Sequence, residues 1–153
     1  MGVSTDGILC YGVEVEEESE LPWKDGDIGD WWIKDVKGWK PSIEIYTPEG
    51  EYINEKRPDD KLVDQYYDER SAFKEKNPCP VEIVVHCSYD YPMYIIAIPR
   101  TVTSASRGYV EEIKPLEMII KNGEREALME FCKTYNVSIT DEYPKWILAS
   151  LWG

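Results

Sequence analysis

Two apolar runs, residues 81–87 and 93–98, stand either side of a five-residue linker and constrain the fold more than any other feature of the chain. Each run is too short for a core helix and rich in Val, Ile and Tyr, the pattern of a buried strand. The linker Ser88-Tyr89-Asp90-Tyr91-Pro92 contains turn-forming Asp and Pro, so the runs read as a hairpin at the centre of a sheet. A further strand is expected over 7–15, another over 42–46 where Ser-Ile-Glu-Ile-Tyr alternates, and another over 146–152 after Pro144. Pro48-Glu49-Gly50-Glu51 reads as a turn.

Helical signals lie between these strands. Asp59 is placed to cap a helix running to about residue 76. Leu62, Val63, Tyr66, Tyr67 and Phe73 keep helical spacing, and Asn77-Pro78 stops it. Asn122 is placed to cap a second helix to about residue 135, with Leu128, Phe131, Cys132 and Tyr135 on one face. A short helix over 31–37 would start at Asp30 and end at Gly38. Residues 101–113 read as a further strand or an ordered loop. The expected fold class is α+β: one domain over 1–153, with a mixed or antiparallel sheet of about 4–6 strands and two main helices packed on it. The length of 153 residues suits such a core. No linker, repeat or low-complexity stretch divides the chain.

Charge is unevenly spread. Residues 1–60 hold 16 acidic and 6 basic side chains, a net of −10; residues 61–153 hold 14 and 11, a net of −3. A one-sided negative surface attracts basic partners and repels nucleic acid. The acidic stretch Glu14, Glu16, Glu17, Glu18, Glu20, Asp25, Asp27 and Asp30 has two readings: a solvated face, or a docking edge for a basic groove. Trp23, Trp31, Trp32 and Trp39 are interleaved with it. Large aromatics are usually buried. Four of them within 17 residues, among Asp and Gly, also suit interface anchors. The candidate partner-binding set is therefore Glu14, Glu16, Glu17, Glu18, Glu20, Trp23, Asp25, Asp27, Asp30, Trp31 and Trp32.

Motifs for chemistry are lacking. Asp25-Gly26-Asp27-Ile28-Gly29-Asp30 hints at a calcium loop, but the positions that need an oxygen ligand and a Glu hold Gly29 and Val36. Cys10, Cys79, Cys87 and Cys132 form no CxxC pair and have no zinc spacing, so they read as buried thiols. His86 is the only histidine and adjoins Cys87, yet neighbours on a strand face opposite ways, which separates base from nucleophile. A neutral His hydrogen-bonded at a sheet edge is the better reading. Arg100 and Arg107, with Thr101, Thr103, Ser104 and Ser106, form the one candidate anion site; Arg107 reads more readily as an ion-pair partner or interface anchor. No Gly-rich phosphate loop accompanies it. No metal or cofactor is expected, and no enzyme activity. Neither a membrane-spanning apolar run nor a leader peptide is visible, so a cytoplasmic location and no membrane partner are expected. The aromatic load is compatible with a homodimer.

Several stretches carry a resemblance. His86-Cys87-Ser88-Tyr89-Asp90-Tyr91-Pro92-Met93, Ser106-Arg107-Gly108-Tyr109, the closing Trp146-Ile-Leu-Ala-Ser-Leu-Trp152-Gly153 and the opening Ser4-Thr5-Asp6-Gly7-Ile8-Leu9-Cys10-Tyr11-Gly12 resemble a family of small acidic proteins found mainly in tailed-phage genomes. That family has no assigned activity, so no catalytic residue passes across. The phage setting implies an inhibitor of a host defence or nucleic-acid-handling protein, of the anti-CRISPR or anti-restriction kind. Three other readings stay open: capture of a small anionic nucleotide near Arg100 and Arg107, an immunity protein for a basic nuclease toxin, and an enzyme using Cys87 or another thiol.

Overall fold

Strand β1, Thr5–Glu14, runs through the middle of a five-stranded mixed sheet in the computed structural model, which describes residues 5–17, 19–23 and 27–153. Strand β5, Lys145–Trp152, lies antiparallel along nearly all of it, from Thr5 opposite Trp152 to Gly12 opposite Lys145. The other edge of β1 is shared. Strand β4, Thr103–Ser106, takes its first half, and β3, Pro92–Ala97, takes Gly12 to Glu14. A 3-10 turn at Pro99–Thr101 separates the two. Strand β2, Glu82–Ser88, forms the expected hairpin with β3 and meets β5 in parallel at Cys87 and Ser88. Strands β1, β5, β2 and β3 thus close into a ring in which each is paired on both sides, with β4 outside it against β1 alone.

Closure depends on a near-contact. A Cβ on Gly12 would lie 2.2 Å from the Ile96 carbonyl oxygen and 2.9 Å from the Ala97 Cα. Glycine inside a strand marks such close backbone approaches. Inside the ring lie Ile8, Cys10, Val84, Ile95 and Ala97, with Val102, Ile147, Ala149 and Leu151 packed against them. The buried Thr101 hydroxyl ties the crossing together: it accepts from the Tyr11 amide at 3.0 Å and donates to the Ile98 carbonyl at 2.6 Å.

The chain gathers into two units. One holds the sheet, with the described residues up to Ile28 and Pro80–Gly153; the other is Gly29–Cys79. Helix α3, Glu124–Thr134, belongs to the sheet unit and buries Leu128, Phe131 and Cys132, while Arg125 donates to the Tyr11 hydroxyl of β1 at 3.2 Å. Helix α2, Asp60–Lys76, belongs to the other unit, so of the two helices expected on the sheet only α3 is part of the sheet unit. Asp59 caps α2 by accepting from the Lys61 amide at 2.9 Å, and Asn77 ends it by returning its side chain to the Phe73 carbonyl. Trp39 packs edge-on to Tyr66 and tilted to Phe73 of this helix.

Three local expectations change. Residues 42–46 form no strand. Among the described residues their one bridge is Tyr46 to Tyr52 across the expected turn, and the Ser42 amide is taken by Glu69 of α2 instead of a neighbouring strand. The short helix begins earlier, as α1 at Ile28–Trp31, and widens into a π-helical turn at Trp32–Val36 before Gly38 turns left-handed. At α3 the cap is Gly123, with φ of 87°, in place of Asn122. The Glu124 carboxylate accepts from the Lys121 amide at 2.8 Å, which ties the entering chain to the helix start.

The crossing at Gly12 gives a direct test. Gly12→Ala should lower unfolding free energy by about 1–3 kcal/mol or more, because the clashing atoms are backbone. Gly7→Ala, whose Cβ would sit 3.9 Å from the Ala105 oxygen, should cost far less. Denaturant titration of both variants decides this; equal losses would mean that the crossing does not limit the fold.

Candidate functional site

The acidic segment leaves β1 at Glu14 and is held by its backbone. The Val15 amide donates to the Tyr94 carbonyl at 3.0 Å, and the Glu16 amide to the Ser138 carbonyl at 2.9 Å. Thr140 returns a hydrogen bond to the Glu14 carbonyl, and the Ser138 amide donates to the Ser19 hydroxyl. The chain direction is therefore set while the side chains of Glu16, Glu17 and Glu20 stay exposed. Among the described residues none of these carboxylates, nor Glu14, joins a salt bridge. A slot of about 60 Å³ opens here, lined by Val15, Glu16, Glu17, Ser19, Leu21, Pro92, Met93 and Tyr94. A slot that joins apolar and acidic residues suits a lysine or arginine, whose stem is apolar and whose head is charged.

The rest of the expected set divides. Trp23 is 4% exposed and packs on Phe131 at 6.2 Å between ring centres. Trp32 is 8% exposed, and its indole N–H donates to the Asn77 carbonyl at 3.1 Å. Both are core residues and not surface anchors, because each indole finds an apolar bed within its own unit. Trp31 is half-buried against Trp32. Asp30 is spent on Lys34, Arg70 and Lys74 of its own unit. Burial opposes its charge, but hydrogen bonds from Arg70 and Lys34 outweigh that and hold its carboxyl below the usual range. Asp27 is exposed and engaged. Glu18 and Asp25 lie outside the described residues.

Exposed aromatic surface lies elsewhere in the sheet unit. Tyr89 and Tyr91, at the tip of the β2–β3 hairpin, are 70% and 79% exposed, and Trp152 of β5 is 58% exposed. The Tyr89 amide donates to the Trp152 carbonyl, which places the hairpin tip beside the end of β5. Tyrosine is cheap to order and serves well in recognition surfaces. The sequence signal for this end was the Tyr-Asp-Tyr-Pro turn between two apolar runs.

Arg100 is not an anion receptor. Its guanidinium pairs with both Glu124 oxygens, at 2.5 and 2.6 Å, and donates to the carbonyls of Glu117 and Ile119. Most of its donors are used to fasten the segment before α3 to the helix start, and the pair holds Glu124 below the usual carboxylate range. The cavity beside it, of about 10 Å³, has room for no more than a water. Arg107 is exposed and engaged as well.

The thiols and the histidine complete the survey. Burial pushes Cys10 and Cys132 up to about 11, so neither supplies thiolate at neutral pH. Cys79 and Cys87 are half-buried, and Cys87 has a φ of 72° within β2. His86 is not at a sheet edge, since β2 lies between β3 and β5, and its Nε2 is buried without a hydrogen-bond partner among the described residues. No group of three or more His, Cys, Asp or Glu poised for a metal occurs among the described residues. No helix among the described residues is long and apolar enough to cross a membrane.

Comparison with protein-family models, with curated proteins and with solved structures finds no match to the chain.

Three outcomes follow from these groups. Burial lowers the His86 pKa, and Glu14 offsets this only in part. Protonation thus penalises the folded state: stability should hold above the ordinary value of about 6.5 and fall as pH drops through it. Denaturant midpoints measured across that range should fall less for His86→Phe than for the unaltered protein. Arg100→Gln should speed protease cleavage within 114–121, and a nucleotide panel should leave the melting temperature of the unaltered protein unchanged.

Proposed function

We propose that this chain is a phage-type inhibitor that acts by binding a basic host protein of the defence or nucleic-acid-handling kind, with no chemistry of its own. The observation that carries the reading is the segment after β1, held through Glu14, Val15, Glu16 and Ser19, whose exposed Glu16 and Glu17 line a slot and join no salt bridge among the described residues. Unpaired carboxylates on an ordered edge can meet a partner's Lys or Arg without an internal ion pair having to break, and their charge steers the encounter and sets its register. The net charge of −13 steers such a partner from a distance and disfavours direct contact with nucleic acid. The exposed tyrosines of the hairpin tip and Trp152 take the anchoring role first expected of Trp23 and Trp32. The resemblance to tailed-phage proteins supports the choice of a host target.

Capture from host lysate at low and at high salt, read by mass spectrometry, tests this. One dominant basic protein, lost as salt rises, is the expected result. With that partner in hand, Glu16→Lys/Glu17→Lys should slow association by about tenfold and flatten its salt dependence. Unchanged association kinetics would remove this edge from the interface.

A further inference from the structure

The chain has four asparagines, and the fold treats one of them differently. The side-chain amide of asparagine is open to attack by the backbone nitrogen that follows it, provided that nitrogen carries a proton and is neither bonded nor crowded. Asn77 precedes Pro78, whose nitrogen has no proton. Asn54 and Asn136 precede amides already engaged: Glu55 donates to the Tyr52 carbonyl at 3.0 Å, and Val137 to the Cys132 carbonyl at 2.9 Å. Asn122 precedes Gly123, whose amide donates to no group among the described residues.

The setting of Asn122 is also open. It and Gly123 are exposed at the centre of a tight turn, closed by the Glu124 amide on the Lys121 carbonyl at 3.2 Å. Gly123 has φ of 87° and ψ of −15°, the conformation of the third residue of a type II turn. Glycine accepts either sign of φ, so the peptide between the two residues can flip and carry its nitrogen to the Asn122 side chain. Nothing stands in the way, since a Cβ on Gly123 would have no neighbour within 4 Å.

We propose that Asn122 is a self-modification site, at which the chain converts a side-chain amide into a carboxylate with water as the only co-reactant. The Gly123 nitrogen loses its proton and bonds to Cγ of Asn122; the Cγ–Nδ2 bond breaks, and ammonia leaves with the proton. Water then opens the resulting succinimide. Attack at Cγ gives aspartate, and attack at the main-chain carbonyl gives isoaspartate, whose backbone runs through Cβ and Cγ. The two products differ in consequence. Aspartate keeps the chain spacing, and its charge lies by the start of α3, where the helix dipole favours it. Isoaspartate adds a methylene between Lys121 and Glu124. That lengthens the span across which the Lys121 amide meets the Glu124 carboxylate, and the same carboxylate positions Arg100 on the carbonyls of Glu117 and Ile119. The modification therefore loosens the segment that Arg100 fastens, which carries the exposed Leu116 and Ile119.

The full chain, incubated at physiological pH and temperature, tests this by peptide mapping and by labelling with an isoaspartyl methyltransferase. The expected result is the mass gain of amide to carboxyl at residue 122 ahead of residues 54, 77 and 136, with methyl label in the same peptide. Asn122→Gln should show neither, because its longer side chain closes a less favoured ring. Cleavage after Glu117 should be several-fold faster in the isoaspartate fraction than in fresh protein, and unchanged in Asn122→Asp. No gain at residue 122, or an earlier gain at another asparagine, would overturn the site. Equal cleavage of the isoaspartate fraction and fresh protein would overturn its link to the Arg100 clamp.

Discussion

The backbone of β3 crosses β1 at Gly12 so closely that a side chain there would strike the Ile96 carbonyl, and the sheet unit is organised around that crossing. Because β3 is held against the last residues of β1 while also pairing with β2, the sheet closes through β5 instead of lying open. The chain must then turn sharply at Pro99–Thr101 to let β4 take the first half of β1. The Thr101 hydroxyl replaces the ladder hydrogen bond that the turn removes from the Tyr11 amide. An unmatched buried amide would cost about 1–3 kcal/mol, so the hydroxyl is part of the closure and not an ornament of it. The same crossing presents the Tyr94 carbonyl to Val15, which starts the acidic segment on its path past 138–140.

Charged groups divide by whether they have internal work. Asp30 gathers Lys34, Arg70 and Lys74, and the Arg100–Glu124 pair fastens the chain before α3. These groups hold structure and have little to offer a partner. Glu16, Glu17 and Glu20 have no such engagement among the described residues, so their field is directed outward. Total charge alone does not separate the two kinds. The aromatics divide likewise: Trp23, Trp32 and Trp39 build cores, whereas Tyr89, Tyr91 and Trp152 face solvent.

Much of the fold was legible because it is written in local pattern. The hairpin of β2 and β3 follows from two apolar runs around a Pro-containing turn, α2 from Asp59 and a helical stripe, and β5 from its composition. The α+β class follows from those elements. Where the local pattern misled, a distant group had intervened. Residues 42–46 alternate as a strand does, but Glu69 on α2 takes the Ser42 amide. Asn122 is a good cap by type, yet Gly123 adopts the left-handed conformation and Glu124 reaches back to Lys121. The acidic segment was visible as composition; the slot at its side was not, since Leu21 and Met93 meet there only through folding.

The sequence by itself determined the β2–β3 hairpin, the strands at either end and the two long helices, where the negative charge concentrates, and that no familiar catalytic or metal motif is present. Those properties depend on neighbours a few residues away. Tertiary structure alone decided that the strands close into a ring, that Arg100 is occupied, and that two of the candidate tryptophans are buried. Each of those depends on free energies between groups far apart in the chain, as between the Tyr11 amide and the Thr101 hydroxyl. Such pairings are chosen by the packing of the whole, and no local pattern records them.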